Sequence, residues 1–307
     1  MTKTEAPIRR IALIGFGEAG GIFGREFAAL GLQVSTYDIL FDSPEAREEM
    51  LAKARDFGVR ACANLTECLR DAELIISAVT ASASLEVARD ASKTLRAGQI
   101  FMDINSVSPG TKRADAAYLE KSGAHFVESA VMAPVPPYRL KVPMLLGGRY
   151  AAELAPRLNA LGMDATAVSD KIGVASATKM CRSVMIKGIE ALAIEGLFAA
   201  RRYGAEEAVL ASLEATYPQM GWRDKLPNYL VSRVAEHGRR RAAEMREVAE
   251  SLRDVGIEPR MAEATANRQD WLVDEMAKHD LKYKDLAPFS WIELAEALSK
   301  AASEKKK

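Results

Sequence analysis

The sequence has few of the residues that build metal centres or disulfide frameworks. It contains three cysteines and three histidines among 307 residues. Cys62, Cys68 and Cys181 have no metal-ligand spacing and are odd in number, so we expect reduced thiols and no metal site. No H-E-x-x-H, paired C-x-x-C or G-x-S-x-G motif occurs, which leaves metal-dependent and serine hydrolase chemistry without support.

Net charge and long apolar runs are also missing. Lys plus Arg and Asp plus Glu number 42 each, so the net charge is zero. No global charge therefore favours nucleic acid or an anionic membrane as a partner. No apolar run is long enough to cross a bilayer, and the first seven residues contain no apolar signal core. We expect a cytoplasmic protein that binds neither membranes nor nucleic acid.

Strand and helix patterns alternate in the first half of the chain and become purely helical after about residue 169. Apolar runs predict strands at Ile11–Gly15, Gln33–Asp38, Leu74–Val79, Gln99–Asp103, His125–Ala130, Pro143–Gly147 and Asp164–Val168. This alternation is typical of an α/β fold with a Rossmann-like, parallel, doubly wound sheet. We predict a dinucleotide-binding domain at residues 1–168 and an all-helical domain for substrate binding and dimerisation at residues 169–307.

Helical periodicity in the second half predicts one long helix that joins the two domains, followed by shorter helices. The long helix spans Ile172–Tyr203, and the others are predicted at Ala205–Thr216, Leu226–Ala235, Arg239–Asp254, Pro259–Met276 and Trp291–Ala302. Gly188 and Gly196 lie inside the long helix, where each costs about 1 kcal/mol without ending it.

A glycine-rich segment follows the first predicted strand. Gly15, Gly17 and Gly20 form G-x-G-x-x-G where a helical pattern begins. In that setting the first glycine permits a tight turn, the second lets the backbone approach a pyrophosphate, and the third lets the helix pack closely on the sheet. The N-terminus of the helix offers unpaired N–H groups to phosphates. The motif predicts dinucleotide binding; a tight turn with no ligand is the alternative.

Asp38 ends the second predicted strand, where its carboxylate is placed to accept hydrogen bonds from an adenosine ribose. The charge of Asp38 would repel a 2′-phosphate and no arginine directly follows it, so we favour NAD as the cofactor, with NADP possible. The residues predicted to contact the cofactor are Gly15, Phe16, Gly17, Glu18, Ala19, Gly20, Asp38, Val79, Thr80 and Asn105.

Polar residues follow the predicted strand that ends at Asp103, at the edge of the sheet where ligands bind in this architecture. Ser108 before Pro109 has the pattern of a helix N-cap. We expect Asn105 and Ser106 to contact ligand, because the cap already has a sufficient residue. The proline-rich residues 128–137 either line a pocket or form only a rigid connection.

Two helical segments carry candidate chemistry. Lys179 follows small residues on the long helix, and burial there would lower its pKa toward neutrality, as suits a general acid or base. An exposed helix lysine is the alternative. On a later helix, one face carries His237, Arg240, Arg241 and Glu244. This face either binds a carboxylate or phosphate or is a solvated face with an Arg–Glu pair.

Four of these segments, in this order, resemble motifs of the β-hydroxyacid dehydrogenase superfamily, which includes 3-hydroxyisobutyrate and 6-phosphogluconate dehydrogenases. The matching segments are the glycine loop, Asp103–Pro109, the strand pair containing Phe126–Val131 and Met144–Gly148, and Gly173–Lys179. The resemblance covers Ile11 to about Gly196. It implies that Lys179 is the general acid/base beside a nicotinamide, and it points to a homodimer.

The chain departs from that family at two places. Met132-Ala-Pro134 replaces the usual Ser-Gly-Gly, and Pro134 has no N–H to hold a substrate carboxylate. Arg182-Ser183 replaces the usual Asn-Asn. The substrate is therefore not expected to be a plain 3-hydroxyisobutyrate-like acid. The Met132–Pro136 segment and the His237–Glu244 helix resemble a branch whose C-terminal domain is catalogued mainly as a domain of unknown function.

We predict an NAD-dependent dehydrogenase that transfers a hydride between nicotinamide and the carbinol carbon of a small hydroxylated substrate. The residues predicted to bind the substrate are Asn105, Ser106, Met132, Arg182, Ser183, His237 and Arg241. Two alternatives stay open: an imine reductase of the same superfamily, and a nicotinamide-binding regulator without turnover.

Overall fold

The computed structural model describes residues 7–304 and, near the C-terminus, side chains up to residue 299. The chain divides into two compact units, Met1–Met180 and Cys181–Lys307. Residues 1–6, which entered the prediction of a cytoplasmic location, lie outside the described part. Within that part, no helix combines the length and the apolar character needed to cross a membrane.

The first unit contains an eight-stranded sheet. Its strands are β1 (Arg10–Ile14), β2 (Gln33–Tyr37), β3 (Arg60–Ala61), β4 (Leu74–Ser77), β5 (Ile100–Asp103), β6 (His125–Val131), β7 (Pro143–Gly147) and β8 (Asp164–Ser169). Their order across the sheet is β3-β2-β1-β4-β5-β6-β7-β8. The predicted α/β class is confirmed by this sheet and its flanking helices.

Helices cover both faces of the sheet. They are α1 (Glu18–Ala29), α2 (Arg47–Asp56), α3 (Leu65–Leu69), α4 (Ser84–Ser92), α5 (Pro109–Leu119), α6 (Val135–Tyr138) and α7 (Ala151–Asn159). Successive residues of β1 belong to different cores: Leu13 is part of one buried cluster and Ile14 of another. Successive side chains of a strand point to opposite faces, so the sheet is buried on both sides.

One strand pair departs from the predicted all-parallel sheet. Strand β7 runs antiparallel to β6, and β8 runs parallel to β7. Only residues 132–142 connect β6 to β7, and they contain the single turn α6. A crossover between parallel strands needs a dozen or more residues. The chain therefore turns back, and β7 pairs in the opposite direction.

The second unit is helical within the described residues. Helix α8 (Val174–Tyr203) begins in the first unit, and α9 (Glu206–Thr216), α10 (Leu226–Arg253), α11 (Arg260–Lys278) and α12 (Trp291–Glu304) follow. Residues including Leu230, Val234 and Leu272 form its buried core. The two helices predicted at 226–235 and 239–254 are the two arms of α10, which meet at a kink where His237 has non-helical φ and ψ.

Candidate active site

The glycine loop joins β1 to α1 at the carboxyl edge of the sheet. Gly15 has φ +90°, and a Cβ there would lie 2.4 Å from the carbonyl oxygen of Ala78. A Cβ at Gly20 would lie 2.0 Å from the carbonyl oxygen of Gly15, whereas a Cβ at Gly17 would meet nothing within 4 Å. Gly15 and Gly20 are thus required because other backbone atoms approach them closely, whereas the Cβ position of Gly17 faces open space.

The loop presents the free end of α1. Gly17 is the N-cap of that helix and no side chain caps it, so the first-turn N–H groups, from Glu18 and Ala19 onward, have no side-chain acceptor. Glu18 is exposed and Ala19 half-buried. The Phe16 ring is fully buried, which leaves only the backbone of Phe16 to meet a ligand. This arrangement fits a pyrophosphate, since helix N-termini bind anions through such N–H groups.

Asp38 follows β2 and holds two backbone groups. Its Oδ2 accepts a hydrogen bond from the Phe16 N–H at 2.6 Å, and its Oδ1 accepts one from the Leu40 N–H at 2.9 Å. The carboxylate therefore fixes the glycine loop against the end of β2. Each oxygen keeps acceptor capacity for a ribose hydroxyl.

Lys53 of α2 supports the loop from the other side, a contact that the sequence did not signal. Its Nζ donates to the carbonyl oxygens of Phe16 at 2.8 Å and Gly17 at 2.9 Å. Burial lowers the pKa of Lys53, while Asp38 and Glu49 oppose that shift.

Asn105 links the ends of β4 and β5. Its Oδ1 accepts a hydrogen bond from the Val79 N–H at 2.8 Å, and its Nδ2 donates to Ser77 Oγ at 3.0 Å and Ser84 Oγ at 3.2 Å. Thr80 is exposed next to this junction. Asn105 is itself buried. Its contacts therefore hold the ends of β4 and β5 together at the carboxyl edge of the sheet.

Ser106 and Lys179 meet, although 73 residues separate them in the chain. The Lys179 Nζ donates to Ser106 Oγ, and both residues are half-buried. The contact lies within the first unit. Consecutive contacts lead from Gly15 to Ala78, from Val79 to Asn105, and so to Ser106 and Lys179. The lysine thus belongs to the same edge of the sheet as the glycine loop.

Glu128, in the middle of β6, is a buried acid that was not predicted as a site residue, although it begins the proline-rich residues 128–137. Its side chain accepts hydrogen bonds from the N–H groups of Gly173 at 2.6 Å and Ala175 at 3.1 Å, and from Ser176 Oγ at 2.7 Å. These donors surround the start of α8. A charged residue inside a buried strand is the signal that would have found it, because acids are seldom buried without partners.

A cluster of buried polar side chains lies next to Asn105. Asp103 Oδ2 is 2.8 Å from Lys112 Nζ, and both side chains are 1% exposed. Ser84 Oγ donates to Asp115 Oδ2 at 3.0 Å. Burial, together with the negative charge of Asp103, raises the pKa of Asp115 to about 7. The cluster therefore contains a carboxyl group that titrates near neutral pH.

Four residues predicted to bind substrate belong to the second unit: Arg182, Ser183, His237 and Arg241. Arg182 is exposed and Ser183 buried. Arg241 is buried, and its Nε donates to Glu190 Oε2 at 2.9 Å while Nη2 also contacts that carboxylate. Two donors of the Arg241 guanidinium are therefore engaged by the Glu190 carboxylate.

His237 lies at the kink of α10, with its Nε2 3.3 Å from Glu236 Oε2. Burial lowers its pKa below the usual value. Glu244 pairs with Lys187 of α8 at 2.5 Å. Burial lowers the pKa of Lys187, and burial raises the pKa of Glu190 in the neighbouring pair.

Met132 directly follows β6 and is half-buried, and its N–H donates to the Pro143 carbonyl oxygen at 2.9 Å. That bond begins the return to β7. Among the described residues, no group of three or more His, Cys, Asp and Glu side chains is arranged to hold a metal ion.

Comparison with known proteins gives the class. Residues 10–152 match the family described as the NAD binding domain of 6-phosphogluconate dehydrogenase, and residues 200–272 match the domain of unknown function DUF1932. The chain thus combines a dinucleotide-binding domain in its first half with a DUF1932 domain in its second half. The chain belongs to the family of 6-phosphogluconate and 3-hydroxyisobutyrate dehydrogenase-like proteins, in the branch with a C-terminal DUF1932 domain.

Three solved structures illustrate the relationship. A conserved hypothetical protein from Sinorhizobium meliloti 1021 is 38% identical, covers 95% of this chain and 96% of its own, and has a TM-score of 0.78. The conserved protein MTH1747 of unknown function, described as structurally similar to 3-hydroxyacid dehydrogenases, is 34% identical over 86% of this chain and 97% of its own, with a TM-score of 0.70.

The third is 3-hydroxyisobutyrate dehydrogenase from Mycobacterium tuberculosis, determined with L-serine. It is 14% identical, covers 95% of this chain and 99% of its own, and has a TM-score of 0.71. At that identity the likeness shows a common fold. The chain therefore has an NAD(P)-dependent hydroxyacid dehydrogenase-like fold.

Proposed function

We propose that the protein is an NAD-dependent dehydrogenase that acts on a small hydroxylated substrate, with Lys179 as the general acid/base. The observation that carries this proposal is the contact between Lys179 Nζ and Ser106 Oγ at the edge that also bears the glycine loop. A proton-transfer group must lie within hydrogen-bond reach of the reacting hydroxyl. The amine and hydroxyl together provide such a position.

The fit of a dinucleotide is supported by the loop itself. Gly17 has open space at its Cβ position, while Gly15 and Gly20 are required by backbone contacts. When bound, the nicotinamide supplies the hydride chemistry. The chain's own residues then divide the work: Asn105 holds the Val79 backbone at the binding edge, and Ser106 orients the substrate hydroxyl.

Lys179 moves the proton at its Nζ. In oxidation it takes up the proton of the substrate hydroxyl, and in reduction it returns that proton to the oxygen. We further propose NAD over NADP, because the Asp38 carboxylate is fixed by the Phe16 and Leu40 N–H groups where it would repel a 2′-phosphate. We also propose that residues 169–307 take part in substrate binding.

We also propose that the helical unit dimerises. Met185, Leu192 and Tyr203 lie at positions i, i+7 and i+18 of α8 and are 66%, 61% and 88% exposed. These spacings place them on one face of the helix, and a second copy of the chain would cover it. Light scattering is expected to give the mass of a dimer that Leu192→Asp dissociates; a wild-type monomer would contradict this.

The catalytic proposal is tested by turnover. Wild type, Lys179→Ala and the control Lys171→Ala are screened with NAD and NADP against hydroxy acids, sugar acids, aryl alcohols and cyclic imines. We expect Lys179→Ala to lose about a thousandfold in kcat, or about 4 kcal/mol of barrier stabilisation, while retaining cofactor binding. Lys171 is exposed ahead of α8, so its substitution should change little.

The same screen separates the alternatives. Turnover of cyclic imines alone would favour an imine reductase. Cofactor binding without turnover of any compound would favour a regulator. Equal activity of Lys179→Ala and Lys171→Ala would overturn the role of Lys179.

A further inference from the structure

The side chain of Glu128 is fully buried and its oxygens have four donors. Oε1 accepts from the N–H groups of Gly173 and Ala175, and Oε2 accepts from Ser176 Oγ at 2.7 Å and, at 3.4 Å, from the Ser176 N–H. The contacts join the central sheet to a segment 45 residues further along the chain. Such a connection holds two distant parts of the first unit in one position.

The donors are the groups that a helix leaves unpaired at its start. Helix α8 begins at Val174, so Ala175 and Ser176 lie in its first turn, where N–H groups have no partner within the helix. A negative charge at this end is also favoured by the helix dipole. Glu128 therefore serves as the cap of α8, although it comes from a strand.

The space around Glu128 is shaped for its carboxylate. Gly147 of β7 lies opposite Glu128 in the sheet register, and a Cβ at Gly147 would lie 2.4 Å from Glu128 Oε1. Gly173 has φ +105°, a conformation that side chains rarely adopt. Glycine at both positions lets the carboxylate reach the end of the helix.

Lys179 lies three residues after Ser176, on the same side of α8, since residues i and i+3 are neighbours on a helix surface. Its contact partner Ser106 follows Asp103, and Asp103 Oδ1 accepts a hydrogen bond from the Asn105 N–H at 2.8 Å. Asp103 and Glu128 are partners in the register of β5 and β6. Asp103 at the end of β5 and Glu128 in the middle of β6 thus hold the two sides of the Lys179–Ser106 contact.

We propose that Glu128 is a positioning residue for Lys179: by capping α8 it sets where the amine lies relative to Ser106. The role of the amine in turnover rests on the proposed function; the anchoring itself does not. Glu128 acts through the helix, because all four described donors belong to residues 173–176. A misplacement of about 1 Å can cost about 100-fold in rate, so displacing the cap should lower kcat on that scale.

Three variants test the cap. Glu128→Gln keeps the shape but replaces one acceptor oxygen with an NH2 group, which cannot accept from the start of α8. Gly147→Ala keeps the carboxylate and pushes it aside. Ser176→Ala removes only one donor. We expect kcat to fall by about 100-fold for the first two and less for Ser176→Ala, with KM and NAD affinity close to wild type.

A second readout does not depend on turnover. Amide hydrogen exchange at residues 173–176 and acylation of Lys179, followed by peptide mass spectrometry with Lys171 as internal reference, should both be faster in Glu128→Gln and Gly147→Ala. The control is Ser129→Ala, the next residue of β6, whose buried Oγ makes no hydrogen bond in the described structure. It should behave as wild type.

The outcomes are distinct. If the wild type turns over no substrate, the proposed function fails, but exchange and acylation still decide whether Glu128 anchors the helix. Unchanged exchange and acylation in a folded Glu128→Gln would overturn the inference. If Glu128→Gln does not fold, Ser176→Ala decides: exchange and acylation equal to wild type would likewise overturn it.

Discussion

The first unit contains a buried side-chain ion pair, Asp103–Lys112, but it also holds two carboxylates by backbone N–H groups, and in this it differs from the buried ion pairs of the second unit. In the first unit, Asp38 is bound by the N–H groups of Phe16 and Leu40, and Glu128 by the start of α8. In the second unit, Lys187 pairs with Glu244, and Arg241 with Glu190, side chain to side chain. A charge held by backbone fixes the course of the chain, whereas a charge held by another side chain fixes only the pair.

This difference follows the elements that each unit contains. The carboxyl edge of a parallel sheet is rich in turns and helix N-termini with unpaired N–H groups, which suit carboxylates. Helices α8 and α10 meet along their sides, where the backbone groups are already paired within each helix. A charge buried there needs a partner side chain, because an unpaired buried charge is costly.

The largest effect is expected from breaking a pair in the second unit. Glu190→Ala leaves the Arg241 guanidinium buried without its carboxylate, which should lower the free energy of unfolding by about 3–5 kcal/mol. Urea unfolding would measure it. The control is Glu263→Ala, which breaks the exposed pair with Arg253 and should cost less than about 1 kcal/mol. Equal losses in the two variants would remove the contrast between buried and exposed pairs.

A second effect concerns a side-chain-held acid in the first unit. The pKa of Asp115 is raised to about 7, so the folded protein keeps a proton that the unfolded chain releases above about pH 4. The contribution of Asp115 to the free energy of unfolding is therefore fully present below about pH 4, and it is lost as the pH rises to about 7. Asp115→Asn should flatten the fall in unfolding free energy between pH 4 and 7.

The matched control for that experiment is Asp56→Asn, a change at an exposed acid at the end of α2, which should leave the wild-type pH dependence in place. Retention of the full pH dependence in Asp115→Asn would show that another group causes it.

The smallest effect is expected at a backbone-held charge. Asp38→Asn keeps an acceptor for the Phe16 N–H but removes the negative charge, so the ratio of kcat/KM for NADP to that for NAD should rise about tenfold, or about 1.4 kcal/mol. Asp42→Asn removes a nearby charge that bonds Tyr37 and should leave the ratio unchanged. A wild type that prefers NADP would be inconsistent with the role proposed for Asp38.

Much of the fold follows from local patterns. Strand β1, the glycine turn at Gly15 and the helix over 174–203 each depend on neighbouring residues, and the predicted elements lie within a few residues of the observed ones. The reversal of β7 was not predicted, whereas the gap between the helices predicted at 226–235 and 239–254 coincides with the kink at His237. The reversal depends on the length of the connection between β6 and β7, which is too short for a crossover between parallel strands.

The site was predicted less completely than the fold. The glycine loop could be found because its residues are adjacent in sequence. Glu128 meets Gly173 across 45 residues, and Arg241 meets Glu190 across 51. Neither partner changes the local pattern of the other, so spacing along the chain carries no sign of the contact. The contact of Lys53 with the glycine loop was not predicted for the same reason, since Lys53 and Phe16 are 37 residues apart in the chain.

The three-residue interval between Ser176 and Lys179 limits how this chain can change over evolutionary time. One residue inserted or deleted there would turn the lysine by about 100° around the axis of α8, away from Ser106. A surface connection such as residues 254–258, which are exposed between α10 and α11, can lengthen at a cost of only about 0.6 kcal/mol per doubling. The two residues between Ser176 and Lys179 can therefore be substituted, but residues cannot be added or removed there without moving Lys179 away from Ser106.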